Sequence, residues 1–137
     1  MKRRATVICE RDGRVLLVAR ARGRWAFPGG RAKRDEELVE AATRELKEET
    51  RLVAEDIRYA FQFRGLRTRH FVFVATVSSD AEPTPSNEIA RCGWLRLHEL
   101  AAMQASVPTK GIAAIFLRQA KGGRSIPLKD VLDSAAA

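Results

Sequence analysis

One helical pattern, set between runs of strand-forming residues, most constrains the fold of this chain. It covers residues 35–50 and follows a Pro-Gly-Gly sequence that ends any regular element. Apolar residues recur along it at helical spacings and form one stripe: Leu38, Val39, Ala42 and Leu46. We expect Asp35 to cap this helix, and Glu36 and Glu37 suit its positive N-terminal end.

Aromatic and β-branched runs on both sides of this helix predict a sheet. ATVIC and RVLLVAR flank Asp12-Gly13, a hairpin turn signal, and IRYAFQFR, HFVFVATV and EIARCGWLRL come after the helix. A short helix at HELAAM and a long one in PTKGIAAIFLRQA complete the pattern. The order of strands, helix, strands and helix predicts an α/β or α+β sandwich. We expect one domain over residues 1–137, with 121–137 as a partly mobile tail.

The charge balance favours an anionic partner. The formal net charge is +8 and the pI is about 10.3, which suits a phosphorylated small molecule or a nucleic acid. No apolar run approaches the roughly 20 residues that span a bilayer. No apolar segment follows the basic start, as it does in a secretory signal. Cys9 and Cys92 lack metal-site spacing, so we expect reduced thiols in a cytoplasmic protein.

An acidic cluster in this basic chain needs an explanation. Glu45, Glu48 and Glu49 stand at helical positions i, i+3 and i+4, so their side chains lie on one face. Like charges at this spacing cost roughly 0.2–0.5 kcal/mol per pair. Nearby Lys and Arg side chains, as on an ordinary solvated helix face, or a metal ion can offset that cost.

The wider stretch GGRAKRDEELVEAATRELKEETRL, residues 29–52, resembles the signature box of the Nudix hydrolases. That box has Gly, five residues, Glu, seven residues, and then Arg-Glu-aliphatic-x-Glu-Glu-x-Gly-aliphatic. The matching residues here are Gly30, Glu36, Arg44, Glu45, Leu46, Glu48, Glu49 and Leu52. RWAFPGG before the box and NEIARCGWLRLHEL after it are also similar to the family. Arg51 is the one departure from the box, because the family usually has Gly there.

The resemblance implies a fold, an activity and a metal. It implies a mixed sheet between helices, an α/β/α sandwich, and attack of water on a diphosphate linkage with Mg²⁺ or Mn²⁺ bound. Divalent cations neutralise phosphate oxygens, lower the pKa of bound water and take oxygen ligands. By resemblance the metal ligands are Glu45, Glu48 and Glu49, with the backbone carbonyl of Gly29 as a further candidate.

Two residues are expected to support these ligands. By resemblance Arg44 holds a box glutamate in place, which orients a ligand. Helical spacing also lets Arg44 pair with Glu40 or Glu48. Glu36 stands about half a helical turn around from Glu45, so we place it beside Arg44 and not on the metal face.

The general base has two candidates. In some family members a box glutamate accepts the proton, and in others a Glu on a later loop does, which is the place of Glu88 here. Candidate substrate-binding residues lie in and before the box: Arg20, Arg24, Phe27 and Lys33. The cations suit phosphates. Phe27 suits either stacking on a base or core packing.

Arg51 affects the end of the helix. The Gly usual at this position often takes a left-handed conformation that caps the helix. A residue with a side chain costs on the order of 1 kcal/mol there. We expect the metal glutamates, which precede it, to be unaffected, whereas the loop that follows can shift.

The small size resembles MutT-like members, which act on (deoxy)nucleoside triphosphates and release a nucleoside monophosphate and pyrophosphate. The box does not separate these substrates from ADP-ribose, dinucleoside polyphosphates and the 5′ end of RNA. A rival from another class is a non-catalytic nucleotide- or RNA-binding module on the same fold. The basic pI favours that rival, and the intact acidic cluster disfavours it. The oligomeric state stays open, a homodimer included.

Overall fold

A computed structural model describes residues 1–120 of the protein. The predicted mobile tail, 121–137, lies outside the described residues. Within them the elements are β1 (Lys2–Arg11), β2 (Arg14–Arg20), β3 (Gly29–Arg31), α1 (Leu38–Thr50), β4 (Asp56–Arg64), β5 (Thr68–Thr76), β6 (Ile89–Leu95), a 3-10 helix (Leu97–Ala102) and α2 (Val107–Ala120).

The strands form one mixed sheet in the order β4-β5-β1-β2-β6, and β3 pairs with β1. β1 runs parallel to β5, and the remaining pairs are antiparallel. The predicted hairpin between β1 and β2 turns at Asp12 and Gly13, which both have positive φ angles. The three later strands also lie where the sequence predicts them. The expectation that Pro-Gly-Gly breaks any regular element is wrong, because both glycines belong to β3, which pairs with β1. The predicted short helix at HELAAM is a 3-10 helix.

The two helices cover opposite faces of the sheet, which confirms the predicted sandwich. One core cluster joins alternate β1 residues to α1: Ala5, Val7, Cys9, Ala41, Ala42 and Leu46. The other joins an intervening β1 residue to α2: Ile8, Ile112, Ala113 and Phe116. Successive strand residues point to opposite faces, so neighbouring positions of β1 serve different layers. Among residues 1–120, no helix is long and apolar enough to cross a membrane.

The first helix begins at Leu38 and not at Asp35, so the predicted cap is wrong. Asp35 has a φ of 66°, a left-handed conformation that cannot belong to a right-handed helix. Glu37 takes the capping position, and its backbone N–H donates to Glu40 Oε1 at 3.1 Å. The turn through Asp35 therefore separates Glu36 from the regular helix.

The end of α1 is where the sequence predicts it. Arg51 has a φ of 65°, so a non-glycine residue does occupy the left-handed position, and its N–H donates to Lys47 O at 2.8 Å. The loop between β5 and β6 is attached to this end. Thr84 N–H donates to Thr50 O at 2.8 Å, and Ser86 N–H donates to Glu49 O at 3.1 Å. These bonds satisfy helix carbonyls that have no partner within the helix.

Candidate active site

The two glycines of β3 bring the backbone of the sheet close to α1. Gly29 and Gly30 pair with Thr6 and Ala5 of β1. A Cβ on Gly29 would overlap the carbonyl oxygen of Ala5, and Gly29 has a φ of 157°. A Cβ on Gly30 would overlap the carboxylate of Glu45. The absence of side chains here lets the carboxylates of α1 approach the strand.

Arg44 connects three of the predicted site residues. Its Nε donates to Glu36 Oε2 at 2.8 Å, and its Nη2 donates to Glu36 Oε1 at 3.0 Å. Its Nη1 donates to Glu45 Oε1 at 2.9 Å and to Glu48 Oε2 at 3.1 Å. The remaining bond runs from Nη2 to the carbonyl of Arg31 at 3.2 Å. A planar guanidinium with several donors in fixed directions fixes the orientation of the three carboxylates at once.

Glu36 is held as an anion. The two hydrogen bonds from Arg44, together with the backbone N–H of Lys33, lower the pKa of its carboxyl to about 2. The same hydrogen bonds raise the pKa of Arg44 above its ordinary value. Glu36 thus lies beside Arg44, as predicted from the sequence, and its supporting role stays a prediction.

Glu49 has a different environment from the other box carboxylates. Its Oε1 accepts a hydrogen bond from Gly29 N–H at 2.9 Å. Burial raises the pKa of this carboxyl to about 7, and the negative charges of Glu45 and Glu88 also raise it. The Gly29 N–H and the positive charge of Arg4 act in the opposite direction. Glu49 is therefore a half-buried carboxylate whose negative charge is only partly offset by its neighbours.

Two predicted site residues from different segments meet beside this helix. Arg20 Nη2 and Glu88 Oε2 form an ion pair at 2.5 Å, and their side chains are 70% and 66% exposed. An exposed pair of this kind contributes about 0–1 kcal/mol. Both groups are consequently easy to recruit for other contacts. The attached loop brings Glu88 near enough to Glu49 to affect its pKa.

The donor set fits a hard divalent cation. As the side chains stand, no three His, Cys, Asp or Glu residues of the described 1–120 converge on one metal-sized space. Nevertheless Glu45 and Glu48 meet at a single Arg44 nitrogen, and Glu49 is anchored next to Gly29. Oxygen ligands of this kind are those that Mg²⁺ and Mn²⁺ take. A bound dication would also offset the charge that raises the pKa of Glu49.

Known proteins are similar to this chain in sequence and fold. A family model described as the NUDIX domain matches residues 1–115, which include all of α1. The chain belongs to the Nudix family. A solved Nudix hydrolase family member from Chromobacterium violaceum superposes with a TM-score of 0.77 at 29% identity, covering 98% of this chain and 87% of that one.

Two relatives differ in how much of their own length the chain spans. The phosphatase NudJ of Escherichia coli K12 is 28% identical over 96% of this chain and 92% of its own. The mRNA-decapping enzyme subunit 2 of Arabidopsis thaliana is 34% identical over 82% of this chain, but over only 32% of its own length. The chain thus spans about a third of that plant relative.

The substrate-binding candidates around the Nudix box differ in their exposure to solvent. Phe27 is 2% exposed and packs in the core cluster beneath α2, which agrees with core packing. Its contact with a base stays a prediction. Arg24 and Lys33 are exposed, and neither side chain forms an ion pair with any residue of 1–120. Their contacts with substrate remain predictions.

A cavity that was not predicted from the sequence lies on the opposite face of the sheet from α1. Its volume is about 290 Å³, and it lies between the sheet and the start of α2. Its lining is Arg4, Thr6, Ala26, Phe27, Thr68, His70, Ser106, Pro108, Thr109 and Ile112. One sequence signal for this cavity was available in the basic start of the chain. Strand alternation from the buried Ala5 and Val7 places Arg4 on the other face, with Thr6 and Ile8.

His70 is kept neutral in this cavity wall. Burial lowers the pKa of its imidazole to about 4, and the positive charge of Arg4 lowers it further. His70 Nδ1 and Thr6 Oγ1 are hydrogen-bonded at 2.8 Å. The pair supplies polar but uncharged groups, so Arg4 is the charged residue in the lining of the cavity.

Proposed function

We propose that this Nudix hydrolase cleaves the diphosphate linkage of a nucleoside diphosphate joined to another group, with Mg²⁺ as its metal and Mn²⁺ able to substitute. A (deoxy)nucleoside triphosphate, split into a nucleoside monophosphate and pyrophosphate, is the preferred substrate. The environment of Glu49 carries the proposal. A half-buried carboxylate whose charge is only partly offset, and which is anchored beside two further carboxylates, is suited to a cationic cofactor and to proton transfer.

The metal would be held by Glu45, Glu48 and Glu49, with the carbonyl of Gly29 as a further donor. When bound, it would supply charge neutralisation at the phosphate oxygens and a lowered pKa for bound water. Arg44 keeps two of these carboxylates oriented, and Glu36 in turn fixes the guanidinium plane of Arg44. We assign both residues a positioning role.

Two carboxylates are candidates for accepting the proton of the attacking water. A pKa near 7 suits a general base that works near neutral pH, and Glu49 has that property in the metal-free protein. Glu88 is exposed and paired with Arg20. We therefore favour Glu49. A pH–rate profile that keeps its acidic limb, where the rate falls as the base is protonated, in Glu88→Gln but loses it in Glu49→Gln supports this assignment, and the reverse overturns it.

Substrate phosphates would meet cations on the loops around the site. Arg20, Arg24 and Lys33 are exposed and suit that role. The cavity that Arg4 lines is proposed to take the base or the nucleoside, since its volume of about 290 Å³ is just below the roughly 300–1,000 Å³ of ligand sites. A cytoplasmic location and a small-molecule partner belong to the same proposal.

A second candidate substrate is the 5′ end of RNA. Two observations favour it: the similarity to a plant mRNA-decapping subunit over 82% of the chain, and the net charge of +8. Small-molecule substrates remain preferred, because the relative that matches over nearly its whole length is a phosphatase of similar extent. ADP-ribose and dinucleoside polyphosphates are small molecules with the same diphosphate linkage, so they belong in the same test.

The test is a substrate panel with product analysis by chromatography. Purified protein is incubated with nucleoside triphosphates, ADP-ribose, dinucleoside polyphosphates and 5′-triphosphorylated or capped RNA, in Mg²⁺, in Mn²⁺ and in EDTA. Glu48→Gln and Glu49→Gln are assayed alongside Glu40→Gln. The last is a matched control, because Gln keeps the hydrogen bond to the capping position of α1.

We expect metal-dependent cleavage that the first two variants lose and the control retains. The best substrate identifies the subclass. Absence of cleavage across the panel, combined with salt-sensitive RNA binding that does not depend on Mg²⁺, would instead identify a non-catalytic binding module.

A further inference from the structure

The side chain of Arg4 is half-buried and has almost no partners. It lies on β1 opposite Arg31 of β3 and His70 of β5. Its guanidinium makes one hydrogen bond within residues 1–120, from Nη2 to the carbonyl of Phe27, at the long distance of 3.4 Å. It forms no ion pair in that part of the chain. A guanidinium carries five N–H donors, so most of them are unused.

The charges around Arg4 are negative, yet none of them binds it. Burial lowers the pKa of this side chain, while the carboxylates of Glu49 and Glu45 act in the opposite direction. Neither carboxylate forms a hydrogen bond with it: Glu45 is bound to Arg44, and Glu49 is bound to Gly29 N–H. A half-buried cation with free donors is costly unless an anion completes its contacts.

Arg4 lies between two parts of the candidate active site. On one side it lines the 290 Å³ cavity between the sheet and α2, and on the other it is within electrostatic range of the carboxylates of α1. For a nucleotide with its nucleoside in the cavity and its diphosphate at the carboxylates, Arg4 is the cation that neighbours both parts. The planar guanidinium matches the geometry of phosphate oxygens.

We propose that Arg4 binds the phosphate that joins the nucleoside to the diphosphate linkage. The inference rests on the proposed function for the order of groups along the substrate. It adds a residue that lies outside the Nudix box. Arg4 thereby selects a phosphorylated nucleoside over an unphosphorylated one in the cavity. The His70–Thr6 pair is neutral, so Arg4 is the charged group of the lining that makes this selection.

A binding experiment without metal and without turnover tests this role. The affinities of AMP, GMP, CMP and UMP and of their four nucleosides are measured by calorimetry in EDTA, for wild type, Arg4→Gln, Arg4→Lys and Arg3→Gln. Arg3 is the matched control. It is the adjacent arginine on the same strand, but it packs over the ring of Phe71, 4.9 Å from the ring centroid, and not in the cavity.

In wild type we expect at least one monophosphate to bind more tightly than its nucleoside. Arg4→Gln should weaken monophosphate binding about 10- to 100-fold, the range for hydrogen bonds to charged groups, and leave nucleoside binding unchanged. Arg4→Lys should recover part of the loss, because it restores the charge without the planar fork. Arg3→Gln should match wild type for both ligands.

Two results would overturn the inference. One is a wild-type protein that binds monophosphates no better than nucleosides. The other is an equal loss of both affinities in Arg4→Gln, with a lowered thermal midpoint, which would make Arg4 only a structural counter-ion of Glu45 and Glu49. Neither result depends on hydrolysis. If the substrate panel shows no cleavage while the phosphate preference holds, the proposed activity fails and the role of Arg4 stands.

Discussion

Two glutamate–arginine pairs lie beside the same helix, and they differ in whether the two side chains touch. Arg44 and Glu36 share two hydrogen bonds of 2.8 and 3.0 Å. Arg4 and Glu49 influence each other electrostatically but share no hydrogen bond. Their pKa values also differ: the hydrogen bonds from Arg44 lower that of Glu36 to about 2, and burial raises that of Glu49 to about 7.

We call Arg44 and Glu36, which are hydrogen-bonded, the closed pair, and Arg4 and Glu49, which are not, the open pair. The two pairs suit different tasks. Because Arg44 is saturated with protein oxygens, it can hold Glu45 and Glu48 in one orientation but has little left for a ligand. Arg4 and Glu49 keep donors and charge that the protein does not use. An enzyme needs both kinds of group. Rigidly held groups keep the site in place with little reorganisation during the reaction, and groups without protein partners are available to bind a metal ion or substrate.

The largest expected effect is the loss of activity when Glu49, the open carboxylate, is neutralised. Glu49→Gln keeps the shape but removes the charge and the proton acceptor, so kcat should fall about 10²- to 10⁴-fold. Steady-state kinetics on the best substrate measure this, with Glu40→Gln as the control. A Glu49→Gln enzyme with nearly wild-type kcat would show that the open pair has no chemical role.

The same substitution should make the metal-free protein more stable at alkaline pH. Glu49 has a folded pKa of about 7 against about 4.5 when unfolded, so its contribution is complete below 4.5 and is lost as the pH rises through 7. At about pH 8, Glu49→Gln should raise the free energy of unfolding by on the order of 1–3 kcal/mol. Urea unfolding in EDTA measures it. A gain of the same size at pH 4.5 would contradict the pKa argument.

The closed pair should be sensitive to geometry and not to charge alone. Arg44→Lys keeps the positive charge but cannot span Glu36, Glu45 and Glu48 together, and we expect kcat/KM to fall about 10- to 100-fold. Lys47→Gln, an exposed change on the same helix, serves as the control. Full activity in Arg44→Lys would mean that charge suffices and that the fork of hydrogen bonds is unimportant.

Neutralising Glu36 should have the opposite effect on stability from neutralising Glu49. The pKa of Glu36 is about 2 folded and about 4.5 unfolded, so its stabilisation is present above 4.5 and is lost as the pH falls toward 2. Glu36→Gln should therefore be less stable than wild type at pH 6. The two proteins should converge in the acid range when unfolding is followed by circular dichroism. Parallel stability curves from pH 6 to pH 2 would speak against a strong Glu36–Arg44 bond.

The smallest expected effect touches neither pair. Arg51 has a left-handed backbone conformation. Arg51→Gly should therefore raise the free energy of unfolding by about 0.5–1 kcal/mol and leave kcat unchanged. Differential scanning calorimetry with parallel kinetics checks both. A change in kcat with this variant would show that the end of α1 affects the carboxylates, and the two pairs could no longer be treated independently of it.

Local patterns predicted the fold because they depend on neighbours along the chain. The period of α1, the turn at Asp12-Gly13 and the strand runs are all of this kind. The start of α1 was missed because the left-handed turn at Asp35 has no clear local signal. The contact between Arg20 and Glu88 joins residues far apart in the chain, so spacing could not predict it.

The candidate site divides in the same way. The box predicted the residues that Arg44 brings together, since they belong to one helix and the turn before it. Arg4 and the cavity depend on which strands lie side by side and on where α2 packs. Phe27 has the same dependence: an aromatic residue before Pro-Gly-Gly suits either a core or a ligand, and only packing decides.

The most direct test of the central claim, that the open carboxylate helps to hold a divalent cation, is Mn²⁺ binding to the metal-free protein. Electron paramagnetic resonance of free Mn²⁺ gives the dissociation constant for wild type, Glu49→Gln and Glu40→Gln. We expect wild type and Glu40→Gln to bind equally, and Glu49→Gln to bind at least about 10-fold more weakly. Equal affinity in all three proteins would contradict the claim.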